Sequence, residues 1–215
     1  MHEDKFIKLR QHLINSLKRK GILDNRVLDA MMKVARHEFI ERRFLIDPYE
    51  DAPQSIGDGQ TISQPYIVAL MTEYLELTGD ETVLELGTGC GYQTAILCEL
   101  AKQVYSIERI ENLYKKSKKN LEKLGYKNYK LKLDDGTLGW EEYAPFDAII
   151  VTATAPDIPE PLKKQLSIGG RMVIPVGKGS PQELVCVVRN TNDYQTSFIC
   201  GVYFVPLIGK HAWQK

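Results

Sequence analysis

The sequence predicts an α/β fold in which a doubly wound, mostly parallel sheet ends in an antiparallel hairpin and follows N-terminal helices. From Thr82 onward, short runs of β-branched and aromatic residues alternate with helical runs. A glycine-rich turn follows the first of these strands, and the last two strand-like runs are separated only by a polar turn. Alternating strands and helices require right-handed crossovers, which produce a parallel sheet with both faces covered.

The N-terminal region predicts two helices and a long loop. Apolar residues recur there at helical spacing, at Phe6, Leu9, Leu13, Ile14 and Leu17. Gly21 is placed to end this helix, and Asp24 to cap the next one. The stretch Asp47–Pro65 contains three prolines and two glycines, so it is predicted to be a loop, and loops of this length often carry function.

The later elements follow from the same patterns. The predicted parallel strands are Thr82–Leu86, Gln103–Ile107, Tyr129–Leu133, Phe146–Thr152 and Arg171–Val176. The predicted helices between them are Gln93–Lys102, Glu111–Leu124 and Pro159–Leu166. The predicted hairpin joins Glu183–Arg189 to Ser197–Val205 through the turn Asn190–Gln195.

Composition argues against a nucleic-acid-binding, secreted, membrane-spanning or metal-binding protein. The 215 residues carry 28 basic and 28 acidic side chains, without the basic excess that is typical of nucleic-acid binding. The N-terminus mixes charges with apolar residues, and no run of about 18 apolar residues occurs, so neither a signal peptide nor a membrane span is expected. Four cysteines without a CxxC pair indicate reduced, buried thiols in a cytoplasmic protein. Four scattered histidines predict no metal site.

The glycine-rich turn is the strongest local signal. Its glycines stand at every second position, at Gly87, Gly89 and Gly91, at the end of the first strand, where doubly wound folds bind their ligands. A dinucleotide fingerprint would need a third glycine at position 92, which is Tyr92. No lysine followed by serine or threonine comes after the turn, so a P-loop is excluded as well.

Acidic residues follow the next two strands. Glu108, 17 residues beyond Gly91, is placed to accept hydrogen bonds from both hydroxyls of an adenosine ribose. The third strand ends in Asp134-Asp135-Gly136, where an acid could meet the adenine amino group. A ligand with ribose but no pyrophosphate fits S-adenosylmethionine. The alternative is that these acids cap helices or loops.

Motifs spread from Ala35 to Leu207 resemble the protein-L-isoaspartate O-methyltransferase family in its bacterial-type form. The most specific are Pro53–Gly57, Gln60–Pro65 and Val83–Gly91. Further motifs are Ala144–Ile149, Gly169–Arg171, Ile174–Gly177 and Val205–Leu207.

This resemblance implies a Rossmann-like seven-stranded methyltransferase sheet whose last strands follow an order unusual among such enzymes. The implied reaction transfers a methyl group from S-adenosylmethionine to the free α-carboxylate of L-isoaspartyl residues in damaged proteins and peptides, which starts their repair to aspartyl residues. S-adenosylhomocysteine is the product. We expect one domain, in which residues 1–46 form a helical segment, 47–66 the substrate and active-site loop, and 67–215 the cofactor-binding core.

The resemblance also implies roles for individual residues. Ser63 corresponds to the active-site serine. The implied cofactor-binding residues are Ile62, Gln64, Pro65, Glu85, Gly87, Gly89, Gly91, Glu108, Asp135 and Gly136. The implied substrate-binding residues are Thr61, Ile62, Ser63, Val205, Pro206 and Leu207. The family usually has Gly-Asp-Gly where this chain has Asp134-Asp135-Gly136, which leaves open whether Asp134 changes adenine binding.

The implied chemistry needs no general base. The reference pKa of an α-carboxylate is roughly 3.5, so the acceptor is ionised at neutral pH. Transfer from a sulfonium to a carboxylate neutralises opposite charges, so excluding water and aligning the groups should supply much of the rate. Ser63 is therefore expected to orient the acceptor, and it lacks the G-x-S-x-G context of a hydrolase. Ser63 could also cap the helix that begins near Pro65.

The sequence gives less support to functions other than methylation of isoaspartyl residues. The basic run Lys115–Lys119 is interpreted as the solvated face of a helix, and Trp140 and Trp213 as packing residues. A nucleic-acid methyltransferase would carry an Asn/Asp-Pro-Pro-aromatic motif where Thr152–Asp157 stands. A non-catalytic module that binds altered protein chains would not need an intact Gln60–Pro65 motif. We expect a monomer that acts on isoaspartyl-containing proteins and binds neither nucleic acid nor membranes.

Overall fold

The structure, a computed structural model, describes residues 2–41 and 47–214. The helices are α1 (His2–Arg19), α2 (Asn25–Lys33), α3 (Pro65–Glu73), α4 (Tyr92–Leu100), α5 (Glu111–Lys123) and α6 (Glu160–Gln165). The strands are β1 (Gln54–Gly57), β2 (Gln60–Ile62), β3 (Thr82–Leu86), β4 (Gln103–Glu108), β5 (Tyr129–Leu133), β6 (Phe146–Val151), β7 (Leu166–Val176), β8 (Gln182–Arg189) and β9 (Tyr194–Val202).

The main sheet confirms the predicted fold class. Within the described chain it has seven strands in the order β5-β4-β3-β6-β7-β8-β9. Strands β3 to β7 pair in parallel, and β8 pairs antiparallel with both β7 and β9. From β6 onward the strands lie in chain order. The strand order reverses beside β3, so the carboxyl ends of β3, β4 and β6 form the crevice where such sheets bind ligands.

Two hydrophobic clusters cover the two faces of the sheet. Val83 belongs to the cluster shared with α1 to α5, whereas its neighbour Leu84 belongs to the cluster shared with α6 and the C-terminal segment. This alternation along β3 is what a strand buried on both faces requires. The N-terminal helices therefore extend one face of the core.

The N-terminal helices begin and end as predicted. The carboxylate of Asp24 accepts a hydrogen bond from the backbone N–H of Arg26 at 2.8 Å, which caps α2. Gly21 follows α1 with a φ of 98°, a conformation that favours glycine.

The prediction that Asp47–Pro65 is all loop was wrong, because β1 and β2 form an antiparallel hairpin there. Both turn residues have positive φ, 53° at Asp58 and 70° at Gly59, as a type I′ turn requires. The dipeptide Asp-Gly between short strands is the usual signature of this turn. The sequence Asp58-Gly59 could therefore have predicted the hairpin.

Several strand boundaries also differ from the prediction, by most in β7 and β9. Strand β7 begins at Leu166, five residues before the predicted start. Strand β9 begins at Tyr194, inside the predicted turn, and ends at Val202, before the predicted end at Val205. The chain leaves the sheet there because Val205 and Leu207 bond instead to the backbone of Thr154, with both N–O distances 2.8 Å.

The structure also shows the state of the cysteines and the character of the helices. All four cysteines are free thiols, of which Cys90 and Cys186 are buried and Cys98 and Cys200 partly buried. In the described ranges, no helix combines the length and the apolar character that crossing a bilayer would require.

Candidate active site

Three adjoining cavities lie at the carboxyl ends of β3, β4 and β6 among the described residues, and Thr61 and Thr152 line all of them. The strand-end cavity has an empty volume of about 590 Å³. The residues that line it are Ile56, Gln60, Thr61, Leu86, Gly87, Gly89, Ile107–Ile110, Leu113, Gly136, Thr152, Ala153 and Val205–Ile208. The serine cavity is lined by Thr61–Ser63, Val68, Met71, Gly87–Cys90, Tyr92, Gln93 and Thr152. The outer cavity is lined by Pro53, Thr61, Ser63, Gln64, Ile67, Thr152 and Val202–Val205.

The glycine turn separates the strand-end cavity from the serine cavity. Gly87, Gly89 and Gly91 all have positive φ, at 93°, 56° and 92°. A Cβ atom on Gly87 would lie 2.4 Å from Oγ1 of Thr152. That hydroxyl is within hydrogen-bond distance of the carbonyl oxygens of Leu86 and Gly87, at 2.9 and 2.8 Å. Only glycine fits this close approach.

Thr152 is a site residue that sequence reasoning missed as such. It follows β6 directly, so the parallel pairing of β6 with β3 brings it beside the glycine turn. The signal was its position, since polar residues just after the strands of a parallel sheet face the ligand crevice.

Glu108 links the glycine turn to the start of α5. Its Oε2 accepts a hydrogen bond from the N–H of Gly89 at 2.9 Å. Its Oε1 accepts from the N–H groups of Arg109 and Ile110, both at 2.8 Å. A carboxylate offers about four acceptor positions, so the side chain keeps capacity for a ligand hydroxyl. It lines the strand-end cavity, and it binds the loop before α5 without capping that helix, whose first turn has no side-chain cap.

Asp135 is engaged with the C-terminal segment. Its Oδ1 accepts from the N–H and hydroxyl of Thr137 at 2.9 and 2.7 Å, and its Oδ2 accepts from the N–H of Lys210 at 2.7 Å. It does not line the strand-end cavity, whereas the adjacent Gly136 does. Asp134 pairs with Lys132 at 2.6 Å, and the hydrogen bond from Lys132 lowers the pKa of the Asp134 carboxyl.

Glu85 lies behind the glycine turn rather than in a cavity. Its side chain is fully buried and lines none of the three cavities. Thr94 on α4 donates a hydrogen bond to Oε2 at 2.5 Å, while Oε1 has no hydrogen-bond partner in the described chain. Burial raises the pKa of this carboxyl to about 8. The Glu85 side chain therefore does not reach a cavity where it could contact a cofactor, contrary to the cofactor-binding role expected for it.

Ser63 stands between the serine cavity and the outer cavity and lines both. Its hydroxyl makes no hydrogen bond to any described residue. The interpretation of Ser63 as a helix cap was wrong, because Gln64 is the residue that precedes α3. The first turn of α3 is capped instead by Asp51, whose Oδ1 accepts from the N–H of Tyr66 at 2.7 Å. The Ser63 hydroxyl is thus free to meet a ligand.

Most of the other expected site residues meet at this cleft. Those that line at least one cavity are Thr61, Ile62, Ser63, Gln64, Gly87, Gly89, Glu108, Gly136, Val205, Pro206 and Leu207. Pro65 is buried as the first residue of α3 and lines none of the three. Gly91 precedes α4 and packs against Ser117 and Leu121 of α5, also outside the cavities.

Lys116 corrects the interpretation of the basic run as a solvated face. Its ammonium group donates to the carbonyl oxygen of Ile56 at 3.0 Å and pairs with Glu41 at 2.8 Å. Ile56 belongs to β1 and lines the strand-end cavity. Lys116 therefore fastens the β1–β2 hairpin over the glycine turn. Lys115 fits the original interpretation, since it pairs with Glu111 on the exposed face of α5.

Comparison with known proteins decides the family. The family model described as protein-L-isoaspartate(D-aspartate) O-methyltransferase matches residues 8–212. The chain belongs to this family. It is therefore an S-adenosylmethionine-dependent methyltransferase, as the motifs predicted.

Two curated relatives, each named protein-L-isoaspartate O-methyltransferase, show how closely the chain follows the family. The protein from Dictyoglomus thermophilum is 53% identical over 205 residues, which cover 95% of this chain and 93% of the relative. The protein from Syntrophus aciditrophicus is 51% identical over 214 residues, which cover 98% of each chain.

Solved structures of the family share the fold. A protein-L-isoaspartate O-methyltransferase structure superposes with a TM-score of 0.84 at 27% identity and covers 94% of this chain and 67% of its own. A putative family member from Plasmodium falciparum, solved in complex with S-adenosyl-L-homocysteine, gives a TM-score of 0.81 at 28% identity and covers 93% of this chain and 98% of its own.

Proposed function

We propose that this enzyme transfers a methyl group from S-adenosylmethionine to the free α-carboxylate of L-isoaspartyl residues in proteins and peptides, with Ser63 as the residue that orients this carboxylate. The observation that carries the role of Ser63 is its place between two cavities with a hydroxyl that has no partner among the described residues. The methyl ester would then close to a succinimide with loss of methanol, and hydrolysis of the succinimide would give aspartate in part, which starts repair.

The residues of the strand-end cavity fit the nucleoside part of S-adenosylmethionine. The glycine turn brings backbone close to the cavity, and Glu108 supplies acceptor oxygens suited to ribose hydroxyls. Apolar side chains of Ile107, Ile110 and Leu207 provide surfaces for an adenine ring. When bound, the cofactor supplies an electrophilic methyl group on a sulfonium.

The serine cavity and the outer cavity fit the acceptor. Ser63 donates its hydroxyl hydrogen to the carboxylate and holds it between the two cavities. Gln64 and Val205, which line the outer cavity, hold the peptide, and the hairpin fastened by Lys116 keeps water away from the glycine turn. Because an α-carboxylate is ionised at neutral pH, no side chain needs to remove a proton.

The substitution Ser63→Ala tests this role. We expect it to lower kcat on an isoaspartyl peptide by about 10- to 100-fold, since one orienting hydrogen bond is lost, and to leave the Kd of S-adenosylhomocysteine unchanged. Methyl transfer is measured as base-labile radiolabelled ester, and Kd by calorimetry. Ser55→Ala is the matched control, because Ser55 lies on β1, is exposed and lines none of the three cavities. Unchanged turnover of Ser63→Ala would exclude the orienting role.

Substrate class is tested with three acceptors in the same assay. The isoaspartyl peptide should be labelled, whereas its aspartyl twin and RNA should not. Label on RNA alone would exclude the proposed substrate and favour a nucleic-acid methyltransferase.

We further propose a cytoplasmic monomer built as a single domain, with residues 1–46 as the helical segment, 47–66 as the substrate loop and 67–215 as the cofactor-binding core. The balanced charge of the chain supports a protein substrate rather than a nucleic acid. Sedimentation equilibrium should give the mass of one chain, 24.5 kDa, at micromolar concentration. A mass of twice that value would exclude the monomer.

A further inference from the structure

Arg36 is a buried charge that the proposed reaction does not use. Its side chain is fully buried in the segment that follows α2. Nη2 donates one long hydrogen bond of 3.4 Å to the carbonyl oxygen of Ala52. Nε and Nη1 have no hydrogen-bond partner within the part of the chain that the structure describes. Buried guanidinium groups are normally paired, because an uncompensated buried charge is costly.

Arg36 lies directly behind the wall of the serine cavity. Its Cζ is 5.1 Å from the centre of the Tyr92 ring, and Tyr92 lines that cavity and is the first residue of α4. Cys90 also lines the cavity, and it is near enough to Arg36 for the guanidinium to lower the pKa of its thiol, which burial raises. The charge is therefore separated from the cavity by a single layer of side chains.

The nearby acid does not neutralise Arg36. Asp51 acts on Arg36 electrostatically, but its carboxylate already pairs with Lys20 and caps α3 through Tyr66. The side chains that line the serine cavity carry no charge. The N-terminus of α4, with its positive end of the helix dipole, adds to the field of Arg36 on the same side.

We propose that Arg36 gives the serine cavity a positive electrostatic potential that holds a carboxylate there. This inference rests on the proposed function, which brings the α-carboxylate of the isoaspartyl residue to the cavity. The amino-acid carboxylate of the cofactor is a second candidate, because the serine cavity adjoins the strand-end cavity at Gly87 and Gly89. Arg36 touches neither of them. It is a positioning residue that acts through the wall formed by Cys90 and Tyr92.

The expected effect is measurable. Unit charges about 10 Å apart at an effective dielectric constant of about 20 change an affinity by roughly tenfold. Two donors of the guanidinium have no hydrogen-bond partner, and the Tyr92 ring face and Asp51 compensate its charge only in part, so a carboxylate in the cavity adds to that compensation. Binding of a neutral ligand gains nothing from it.

The test compares charged ligands with neutral twins. Calorimetry gives the Kd of S-adenosylhomocysteine and of its analogue without the carboxylate. A second arm uses the enzyme saturated with S-adenosylhomocysteine and gives the Kd of an isoaspartyl peptide and of its twin in which an amide replaces the α-carboxylate. Arg36→Met, Arg36→Lys and Arg10→Met are measured alongside the unchanged protein. Arg10 is the matched control, because it is a partly buried arginine whose donors bond to Tyr49 and to the carbonyl of Met32.

We expect Arg36→Met to weaken a carboxylate ligand by about tenfold in at least one arm and to leave its neutral twin unchanged, whereas Arg36→Lys and Arg10→Met keep the preference. The arm that responds identifies which carboxylate Arg36 holds. Equal loss for charged and neutral ligands, or no loss in either arm, would overturn the proposal.

The test gives an answer even if Arg36→Met does not fold or the proposed function fails. If Arg36→Met does not fold, the unchanged protein still decides, because the absence of any preference for the carboxylate over its neutral twin in both arms overturns the proposal. The cofactor arm also needs no peptide. If the protein methylated no isoaspartyl peptide, the proposed function would fail, while the cofactor arm would still test Arg36.

Discussion

At the glycine turn, distances between single atoms determine which residues the site accepts. The N–H of Gly87 donates to the carbonyl of Ile107 at 2.8 Å, and Thr152 closes the turn from the other side. Behind the turn, Glu85 is buried where its charged form is disfavoured. The close approach of Thr152 to Gly87 and the buried carboxyl of Glu85 therefore lie on opposite sides of the glycine turn.

Gly87→Ala should destabilise the protein by about 2–4 kcal/mol, because it adds both a strained φ and a clash with Thr152. Gly125→Ala is the matched control. Gly125 has a φ of 81°, close to that of Gly87, but nothing lies within 4 Å of an added Cβ. The control should cost about 1 kcal/mol through backbone strain alone. Urea unfolding measures both, and equal losses would show that the contact with Thr152 contributes nothing.

Glu85→Gln tests the raised pKa of Glu85. A carboxyl with a folded pKa of about 8 and an ordinary value near 4.5 when unfolded binds its proton more tightly in the folded state. Its contribution to stability is complete below pH 4.5 and is lost as the pH rises toward 8. We expect the variant to match the unchanged protein at pH 4 and to be more stable at pH 9 by about 1–3 kcal/mol.

Unfolding midpoints at both pH values measure this difference, and an unchanged Kd for S-adenosylhomocysteine would agree with the position of Glu85 behind the turn. A Glu85→Gln variant that is less stable at pH 9 would contradict the raised pKa.

At the scale of elements, the segment between α2 and α3 organises the entrance to the site. The β1–β2 hairpin lies over the glycine turn, where Ile56 Cδ1 would be 3.4 Å from a Cβ on Gly89. Lys116 on α5 holds the hairpin, and Asp51 holds the start of α3. These contacts place Ser63, which lies between hairpin and helix, without using its hydroxyl.

Asp51→Ala should destabilise the protein by about 1 kcal/mol, the usual value of a helix cap, whereas Ser63→Ala should leave stability unchanged. Asp51→Asn is the control, since its side-chain oxygen still accepts from Tyr66. Thermal unfolding of the three variants measures the difference. A loss in Ser63→Ala as large as in Asp51→Ala would show that the serine also supports the helix.

At the scale of the whole molecule, the C-terminal segment closes the cleft. Val205–Ile208 lines the strand-end cavity, and the segment is bound to the body by Asp135 and by the indole of Trp213, which donates to the carbonyl of Thr154 at 3.1 Å. Trp213 is thus a packing residue, as the sequence predicted. The expectation that Asp135 itself meets adenine stays a prediction beside this structural role.

Asp135→Ala distinguishes the two roles. If Asp135 holds the segment, the variant should raise hydrogen exchange across residues 205–213 and weaken S-adenosylhomocysteine binding by about tenfold. Lys210→Ala is the control, because only the backbone N–H of Lys210 bonds to Asp135. Weaker binding with unchanged exchange would instead indicate direct contact with the cofactor.

The sequence by itself determined the α/β class, the parallel strands, the caps of the N-terminal helices and the glycine turn. Each depends on residues within a few positions of one another, through side-chain periodicity or the φ that glycine permits. The family motifs also identified most of the residues that line the cleft.

Only the tertiary structure decided which polar groups find partners. Thr152 meets Gly87 across 65 positions, and Asp135 meets Lys210 across 75. Asp51 replaces Ser63 as the cap of α3, and Arg36 is left buried without full pairing. Local patterns cannot predict these outcomes, because a buried donor or acceptor takes whichever partner the packing of distant segments brings within reach.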